Sequence, residues 1–474
     1  MATDMDVSNV VLITVDSLRA DAISPYDRSR HTPVFEDLAK GGTVFENAFA
    51  TGNWTPFSFP SILASRPVFA DTGRIGMDDS PTLAETLSSA GLTTGGFNAS
   101  NGFLTSHWGY NKGFDVFESF IAEIGSNFYS RYLATHPTVG AWIQLIKSPF
   151  RRVGSWIRGK GDNRPFLDTS RMFDVEEGAI SFIEDATEPF FLWVHYMDVH
   201  TPYVPAPRYI REVSSDLVGT HRMLIAHTRT GLGWEVGDRT LASLRTLYQG
   251  AVRQVDDSVG RIMKSLAEEG VDDRTAIVVA GDHGEEFQEH GHLAHYPKLY
   301  DELISVPFII NVPDAEPHRI SRQVGLDSVP PTVCDILGVP SHPKWTGNTL
   351  APSVLDGVQP ADEPVVSVTI RGEEVTSQPI PRNLDDGDLL VSARTDEWTL
   401  IENTATGEHE LYHRPSDPRQ QKDWTKDRNK DGRRVIDNLR PAITEHAATL
   451  SKAKGDDRKM EEDVKTRLSA LGYR

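Results

Sequence analysis

Cysteine is almost absent from this chain of 474 residues: Cys334 stands alone. A single thiol excludes an internal disulfide and any zinc site built on several cysteines, and it fits a reducing compartment. No run reaches the roughly 18 apolar residues that a membrane span needs. The opening stretch MATDMDVSNVVLITVDS has neither the basic start nor the long apolar core of a secretory signal. A cytoplasmic location is the expectation. Positive charge is also short, with 48 basic residues against 68 acidic ones and a net charge of −20. That balance argues against nucleic-acid partners, and acids spread along the whole chain read as the surface of a protein kept soluble at high salt, a halophile's acidic proteome. Convincing internal repeats and low-complexity tracts are missing too. The hydrophobic content of 38% nevertheless supports a substantial core.

What is present is a recurring strand design. NVVLITVD (9–16), PFFLWVHYMDVH (189–200) and TAIVVAGDHGEE (275–286) are apolar runs that finish in polar or charged residues. Each reads as a buried parallel strand delivering its last residues to a crevice. LTTGGFNAS (92–100) and VPFIINVP (306–313) are further strand candidates. Between them lie helical patterns at 32–42, where Thr32 is placed to cap, at 80–91, at 175–186, and over the long amphipathic stretch 239–270 closed by Gly270. Strands alternating with helices predict an α/β fold, a mostly parallel central sheet flanked by helices. After about residue 350 the texture changes to short alternating strands and a helical end. The expected division is a catalytic α/β domain over 1–350, with an insertion at about 119–170, and a small α+β domain over 351–474.

By this reading Asp16, His200, Asp282 and His283 converge beyond the strand ends despite their separation in sequence. A carboxylate beside an imidazole suits a divalent ion such as Mn, Mg, Ca or Zn. The stretch GNWTPFSFPSILAS (52–65) poses a separate question. Thr55 is either a nucleophile or a plain helix cap ahead of Pro56. Pro60 argues for a helix that starts later, with Ser58 as its cap. Ser58 is also the next hydroxyl in line should Thr55 not be the nucleophile.

Six stretches in order, NVVLITVDSLRAD, TPVFEDLAKGGTVFENAFATGNWTPFSFPSILAS, FFLWVHYMDVHTPYVP, GDHGEEFQEHG, LYDELISVPFII and DSVPPTVCDILGVP, closely resemble the sulfatase family of the alkaline-phosphatase superfamily. The resemblance covers about residues 8 to 350, and HELYHRPSDP resembles the family's C-terminal domain. It implies an alkaline-phosphatase-like fold and one divalent ion held by Asp16, Asp282, His283 and Thr55, with a second ion left open. The family usually has two acids after the first strand; here the second position is Ser17. His283 in place of the usual Asn looks like the phosphoryl-transfer branches. Sulfatases oxidise a Cys or Ser in a Cys/Ser-x-Pro-x-Arg motif to formylglycine. The register of SILAS puts Thr55 at that position and Phe59 at the motif's Arg. Threonine would give a ketone, so no formylglycine is expected, yet threonine is a competent nucleophile beside a metal. The resemblance further implies that His200 lies near the transferred group and that His295, with Lys298 as runner-up, binds the anion. Arg19, Asn98 and Asn101 are weaker substrate-contact candidates, and His290 completes a second metal site or holds its loop.

The expected function is hydrolysis of a phosphoester or phosphodiester through a covalent Thr55 ester. A true sulfatase, a phosphotransferase to a glycan or lipid headgroup, and a non-catalytic binding protein are the alternatives. The expected partner is a small, glycan-linked or lipid-linked anionic ester. Residues 139–164 carry six basic residues, one acid, Trp142 and Trp156, and are a candidate for peripheral membrane contact. DRNKDGRRVIDN (427–438) begins like a calcium loop but ends in Asn438, so a turn is expected there.

Overall fold

The computed structural model describes residues 7–70, 72–77, 80–99, 101–121, 170–216, 218, 222, 236–371, 380–426 and 431–450. The basic insertion 139–164 lies outside the described residues. Among the described residues no helix is long and apolar enough to cross a membrane.

In chain order the strands of the main body are β1 (Asn9–Val15), β2 (Thr43–Phe45), β3 (Ala48–Phe49), β4 (Thr93–Asn98), β5 (Val116–Glu118) and β6 (Phe190–Tyr196). They are followed by β7 (Thr275–Gly281), β8 (Glu286–Phe287), β9 (Leu293–Ala294), β10 (Phe308–Asn311), β11 (Arg319–Ile320) and β12 (Val324–Gly325). Eight of them form one sheet in the order β11-β2-β10-β7-β1-β6-β4-β5. The centre, β7-β1-β6-β4, is wholly parallel, and β10 runs antiparallel to both its neighbours, so the sheet is mixed.

Strand β1 shows why the central runs are apolar without a break. Val10 and Leu12 enter the core on one face, while Val11, Ile13 and Val15 enter the core on the other. Both faces are covered, so neither can be polar. One face carries α2 (Thr55–Ala64) and α3 (Leu83–Ser89); the other carries α1 (Pro33–Lys40), α4 (Met172–Asp185), α5 (Pro207–Val213) and α6 (Asp238–Glu268).

Two local expectations are corrected. Thr32 precedes α1, but its hydroxyl accepts from the Ser24 amide at 2.8 Å. Asp256 of α6 receives the α1 amides of Phe35 at 2.8 Å and Val34 at 3.3 Å, a cap supplied by a distant helix. Nor does the second helix begin near Pro60. It runs unbroken from Thr55 through Pro60 to Ala64, and Ser58 lies inside it. All ten of its residues are buried, so packing outweighs the one hydrogen bond that Pro60 cannot make.

The C-terminal sheet, β13 (Val365–Arg371), β14 (Asp388–Arg394), β15 (Trp398–Asn403) and β16 (His409–His413), is antiparallel throughout. A helix follows at 431–450, so residues 431–438 of the stretch expected as a turn are helical. This sheet is joined to the body beside α2. Val368 donates its amide to Thr51 at 2.8 Å, and Ser367 donates its hydroxyl to Ala50 at 2.6 Å. Trp54 and Phe57 share a hydrophobic cluster with Val368, Val391 and Leu400.

Candidate active site

The carboxyl ends of four adjacent strands supply the site. Asp282 follows β7, Asp16 follows β1, His195 is the last but one residue of β6, and Asn101 lies just beyond β4. The register pairs Val15 with Gly281 and Thr14 with His195, which brings these side chains to one level. Asp16, His195, Asp282 and His283 are fully buried, and Asn101 nearly so. One ligand atom from each of Asp16, His195 and Asp282 lies within 4.8 Å of the others. His283 Nε2 lies 3.5 Å from Asp16 Oδ1 and 3.7 Å from Asp282 Oδ2. Gly284 lets the next turn pass close: a Cβ there would sit 2.1 Å from the Glu302 carbonyl oxygen.

Thr55 is the first residue of α2, one position past the cap residue Trp54. Its hydroxyl donates to Asp16 Oδ2 at 3.1 Å. Asn101 Nδ2 donates to the same carboxylate oxygen at 3.1 Å and lies 3.5 Å from Thr55 Oγ1. The other hydroxyls of the stretch are engaged elsewhere. Ser58 donates to the Gly52 carbonyl at 2.8 Å, and Ser61 donates to the Arg66 carbonyl at 3.0 Å. Gly52 permits this turn, since a Cβ there would lie 2.4 Å from Phe57 Cβ. Phe59 is buried with its ring edge-on to His195 at 5.0 Å.

The electrostatics are those of two carboxylates forced together. Burial opposes ionisation of Asp16, but the imidazoles of His200, His195 and His283 outweigh it and hold the carboxyl well below the usual range. Burial and the charge of Asp16 push Asp282 well above it. Asp282 Oδ2, His195 Nε2 and His283 Nε2 are buried with no hydrogen-bond partner. Each such atom costs about 1–3 kcal/mol when left unmet. Two carboxylates and two imidazoles turned toward one space fit a divalent cation.

His295 and His200 pack beside this group. The His295 ring centroid is 4.7 Å from that of His283 and 4.9 Å from that of His200. Burial, with His283 and His200 adding to it, holds His295 well below the usual imidazole value. Its Nδ1 lies 3.5 Å from Glu285 Oε2. Glu285 is fully buried, and burial pushes its carboxyl up to about 7 against the pull of His200.

The other candidates are engaged by partners of their own. Arg19 grips Asp21 through two bonds of 2.8 Å and reaches Glu289 and the Glu285 carbonyl at 3.0 Å. Lys298 points its ammonium at the His290 carbonyl at 3.3 Å. His290 stacks on Tyr300 at 3.6 Å and bonds Glu302 and the Gln420 carbonyl, which holds its loop to the C-terminal region. Asn98 donates to the Leu104 carbonyl at 2.8 Å.

His195 and Glu285 escaped the reading of the sequence. The signal for His195 is an ionisable residue inside FFLWVHYM, where every other position is apolar; a buried imidazole there needs a partner. Glu285 is hidden in a run of charges and shows itself only by its burial.

A family model described as Sulfatase matches residues 8–339. The chain is 27% identical over 219 residues to the multifunctional alkaline phosphatase superfamily protein PehA of Trinickia caryophylli, a stretch covering 39% of this chain and 41% of that protein. The match thus spans less than half of that relative's length. The solved structure of BT4656 in complex with its substrate D-glucosamine-2-N,6-O-disulfate superposes with a TM-score of 0.68 at 19% identity, covering 94% of this chain and 98% of that one. The phosphonate monoester hydrolase of Agrobacterium radiobacter superposes with a TM-score of 0.67 at 18% identity, covering 94% and 96%. At these identities the likeness is one of fold.

Proposed function

The chain belongs to the sulfatase family, and from that premise we propose that it is a metal-dependent ester hydrolase with Thr55 as nucleophile, acting on phosphoesters or phosphodiesters. The observation that carries the reading is the Thr55 hydroxyl, 3.1 Å from Asp16 and at the first turn of a helix. Pro56 has no N–H, and the Phe57 and Ser58 amides donate to the Trp54 carbonyl at 2.8 and 3.1 Å, so the Thr55 amide is the one this helix start offers a phosphoryl oxygen.

Asp16, Asp282, His283 and Thr55 are the residues that would hold the ion. When bound, a divalent cation supplies Lewis acidity and lowers the pKa of a neighbouring hydroxyl. Asp16 accepts the Thr55 hydroxyl bond and orients its oxygen for attack. Asn101 donates to Asp16 and lies beside Thr55, where its amide also reaches an incoming anion. As the Thr55 oxygen forms a bond to phosphorus, its proton passes to Asp16, which already accepts its hydrogen bond; the bond from phosphorus to the leaving oxygen breaks, and His200 in its protonated form gives a proton to the departing alcohol, while His295 contacts the anion. Water, or an acceptor alcohol in a transferase, then breaks the Thr55 ester.

Phosphorus is preferred over sulfur because the formylglycine position holds threonine and the motif's arginine position holds Phe59, buried against His195. The disulfated sugar bound by BT4656 keeps a sulfate ester, or a larger glycan-linked anionic ester, in the comparison. The setting in this reading is the cytoplasm of a salt-adapted cell, on the strength of a net charge of −20 and one cysteine. The deciding experiment is turnover of aryl sulfate, aryl phosphate, bis-aryl phosphate and aryl phosphonate side by side, with Mn2+ or Zn2+ added. A phosphate or phosphonate ester should lead. Fastest turnover of aryl sulfate reverses the substrate assignment, and equal turnover by Thr55→Ala removes the nucleophile.

A further inference from the structure

Ser17 stands where a second acid is expected, and it does not replace one. Its hydroxyl donates to Asp16 Oδ1 at 3.0 Å and its amide donates to Asp282 Oδ1 at 3.0 Å. Ser17 orients the two carboxylates but turns no free lone pair of a charged group toward the space between them. The set Asp16, Asp282, His283 and Thr55 therefore has one protein ligand fewer than a set with a second acid after β1.

His195 reaches that space from the adjacent strand. Its Nε2 is 3.7 Å from Asp16 Oδ2, within the group of ligand atoms that all lie within 4.8 Å of one another. The hydrogen bonds around it accommodate the tautomer that a metal ligand needs. Trp193 Nε1 donates to Thr14 Oγ1 at 3.0 Å, and Thr14 Oγ1 donates to the Val194 carbonyl at 3.4 Å. A hydroxyl has one proton and two lone pairs. With the proton directed to Val194 and one lone pair taken by Trp193, Thr14 has one lone pair left for His195 Nδ1, at 3.0 Å. Nδ1 then carries the ring hydrogen, and Nε2 is bare, buried and without a partner. His283 is set the same way. Its Nδ1 lies 2.9 Å from the Gly284 carbonyl, which can only accept, so its Nε2 is bare as well.

We infer that His195 is a ligand of the divalent ion through Nε2, taking the place of the acid that Ser17 lacks. The inference rests on the metal-dependent reading above and extends it. Two imidazole nitrogens and two carboxylates form a mixed nitrogen and oxygen set. Imidazole suits Zn2+ or Mn2+ better than Ca2+ or Mg2+, which prefer an all-oxygen shell. Thr14 and Trp193 are positioning residues for this ligand, acting through its ring.

The test is X-ray absorption at the zinc edge on the full chain, stripped of metal and reloaded with Zn2+ below one equivalent. The scattering should require two imidazoles in the wild type and one in His195→Gln. Zn2+ affinity, measured by titration calorimetry, should fall about tenfold or more in His195→Gln, and by a smaller factor in Thr14→Val, where Nδ1 loses its hydrogen-bond partner. The imidazole count in the wild type needs no variant to fold. A count of one there, with affinity unchanged in His195→Gln, overturns the role of His195 and leaves the Asp16, Asp282 and His283 site standing. No bound Zn2+ or Mn2+ at all removes this inference and the metal-dependent reading together.

Discussion

Among the described residues, two of the buried clusters of charge are built in opposite ways. The first joins the C-terminal sheet to the body. Asp301 accepts from Arg394 at 3.3 Å, Gln420 at 3.1 Å and Arg414 at 2.9 Å. Arg394 is fully buried and also bonds Ser392 and the Leu299 carbonyl; Arg414 also bonds the Thr395 carbonyl and Asn47. Every charge in it is answered by the protein itself. The second cluster, at the ends of β1, β6 and β7, leaves Asp282 Oδ2, His195 Nε2 and His283 Nε2 unanswered. A buried polar group without a partner works against the fold. The first cluster meets its own needs as a structural joint; the second has unmet groups facing the space in which the proposed function puts an ion.

The largest effect should come from the open cluster. Thr55→Ala should lower turnover about 1,000-fold or more while leaving the unfolding free energy within about 1 kcal/mol, since one hydrogen bond is lost. Thr55→Ser should keep part of the activity. Turnover that survives in Thr55→Ala and disappears in Ser58→Ala would identify a different nucleophile.

In the closed cluster the order of effects should invert. Asp301→Ala should cost about 3–5 kcal/mol in urea unfolding, because it leaves buried Arg394 without its counter-charge. By contrast Asp282→Asn in metal-free protein should be neutral or stabilising, because it removes one of two crowded carboxylates. The same variant should lose the rise in melting temperature that Mn2+ or Zn2+ gives the wild type. Equal destabilisation by Asp301→Ala and Asp282→Asn would erase the distinction between the clusters.

The two clusters should also differ in pH response. Asp282 is raised in the fold, so the unfolded chain ionises first. Stability of the metal-free protein should therefore fall as pH rises above about 4, by at most about 1.4 kcal/mol per pH unit for each such group. Asp16 is lowered and acts the other way: its contribution is present above about pH 4 and is lost as pH falls below it. Bound metal should flatten the fall that comes from Asp282. Asp256, pushed up to about 7 by burial where it caps α1, gives a similar fall up to neutral pH that metal does not alter. Asp256→Asn should flatten that second portion, read as urea midpoints at several pH values with EDTA and with Mn2+. In the closed cluster Asp301 is held below its ordinary value: Arg414 and Arg394 overcome the effect of burial. Its contribution is complete above about pH 4 and should be level across the same range. The smallest effect should be Gln420→Ala, about 1.5 kcal/mol, since it removes one bond donated to the Asp301 carboxylate and one accepted from the Asp301 amide while both arginines remain.

Much of this was legible in the order of residues. Continuous apolar runs at 9–15, 190–196 and 275–281 require strands covered on both faces, and the polar residues that end them must emerge at one edge of a parallel sheet. Asp16, Asp282, His283 and Thr55 follow from that rule and from the resemblance of their motifs. What short-range patterns do not carry is which partner each polar group meets. Arg19 and Lys298 have the chemistry of anion binders, yet Asp21, Glu289 and the His290 carbonyl engage them. His195 is an isolated histidine in an apolar strand until β6 is laid beside β1 and its ring meets Thr14. Thr32 carries the signature of a helix cap, but Asp256, 221 residues from Phe35, receives the helix amides. Pro60 breaks a helix in isolation and is absorbed in one whose every residue is buried.

The sequence by itself determined the strand pattern, the acidic surface and the identity of the groups at the strand ends, because these depend on side-chain type and spacing within a few residues. Only the tertiary structure decided which charges are answered and which remain open. Hydrogen bonds and ion pairs act over about 3–4 Å and join residues hundreds of positions apart, so no count along the chain distinguishes Asp301 from Asp282 until the strands are in place.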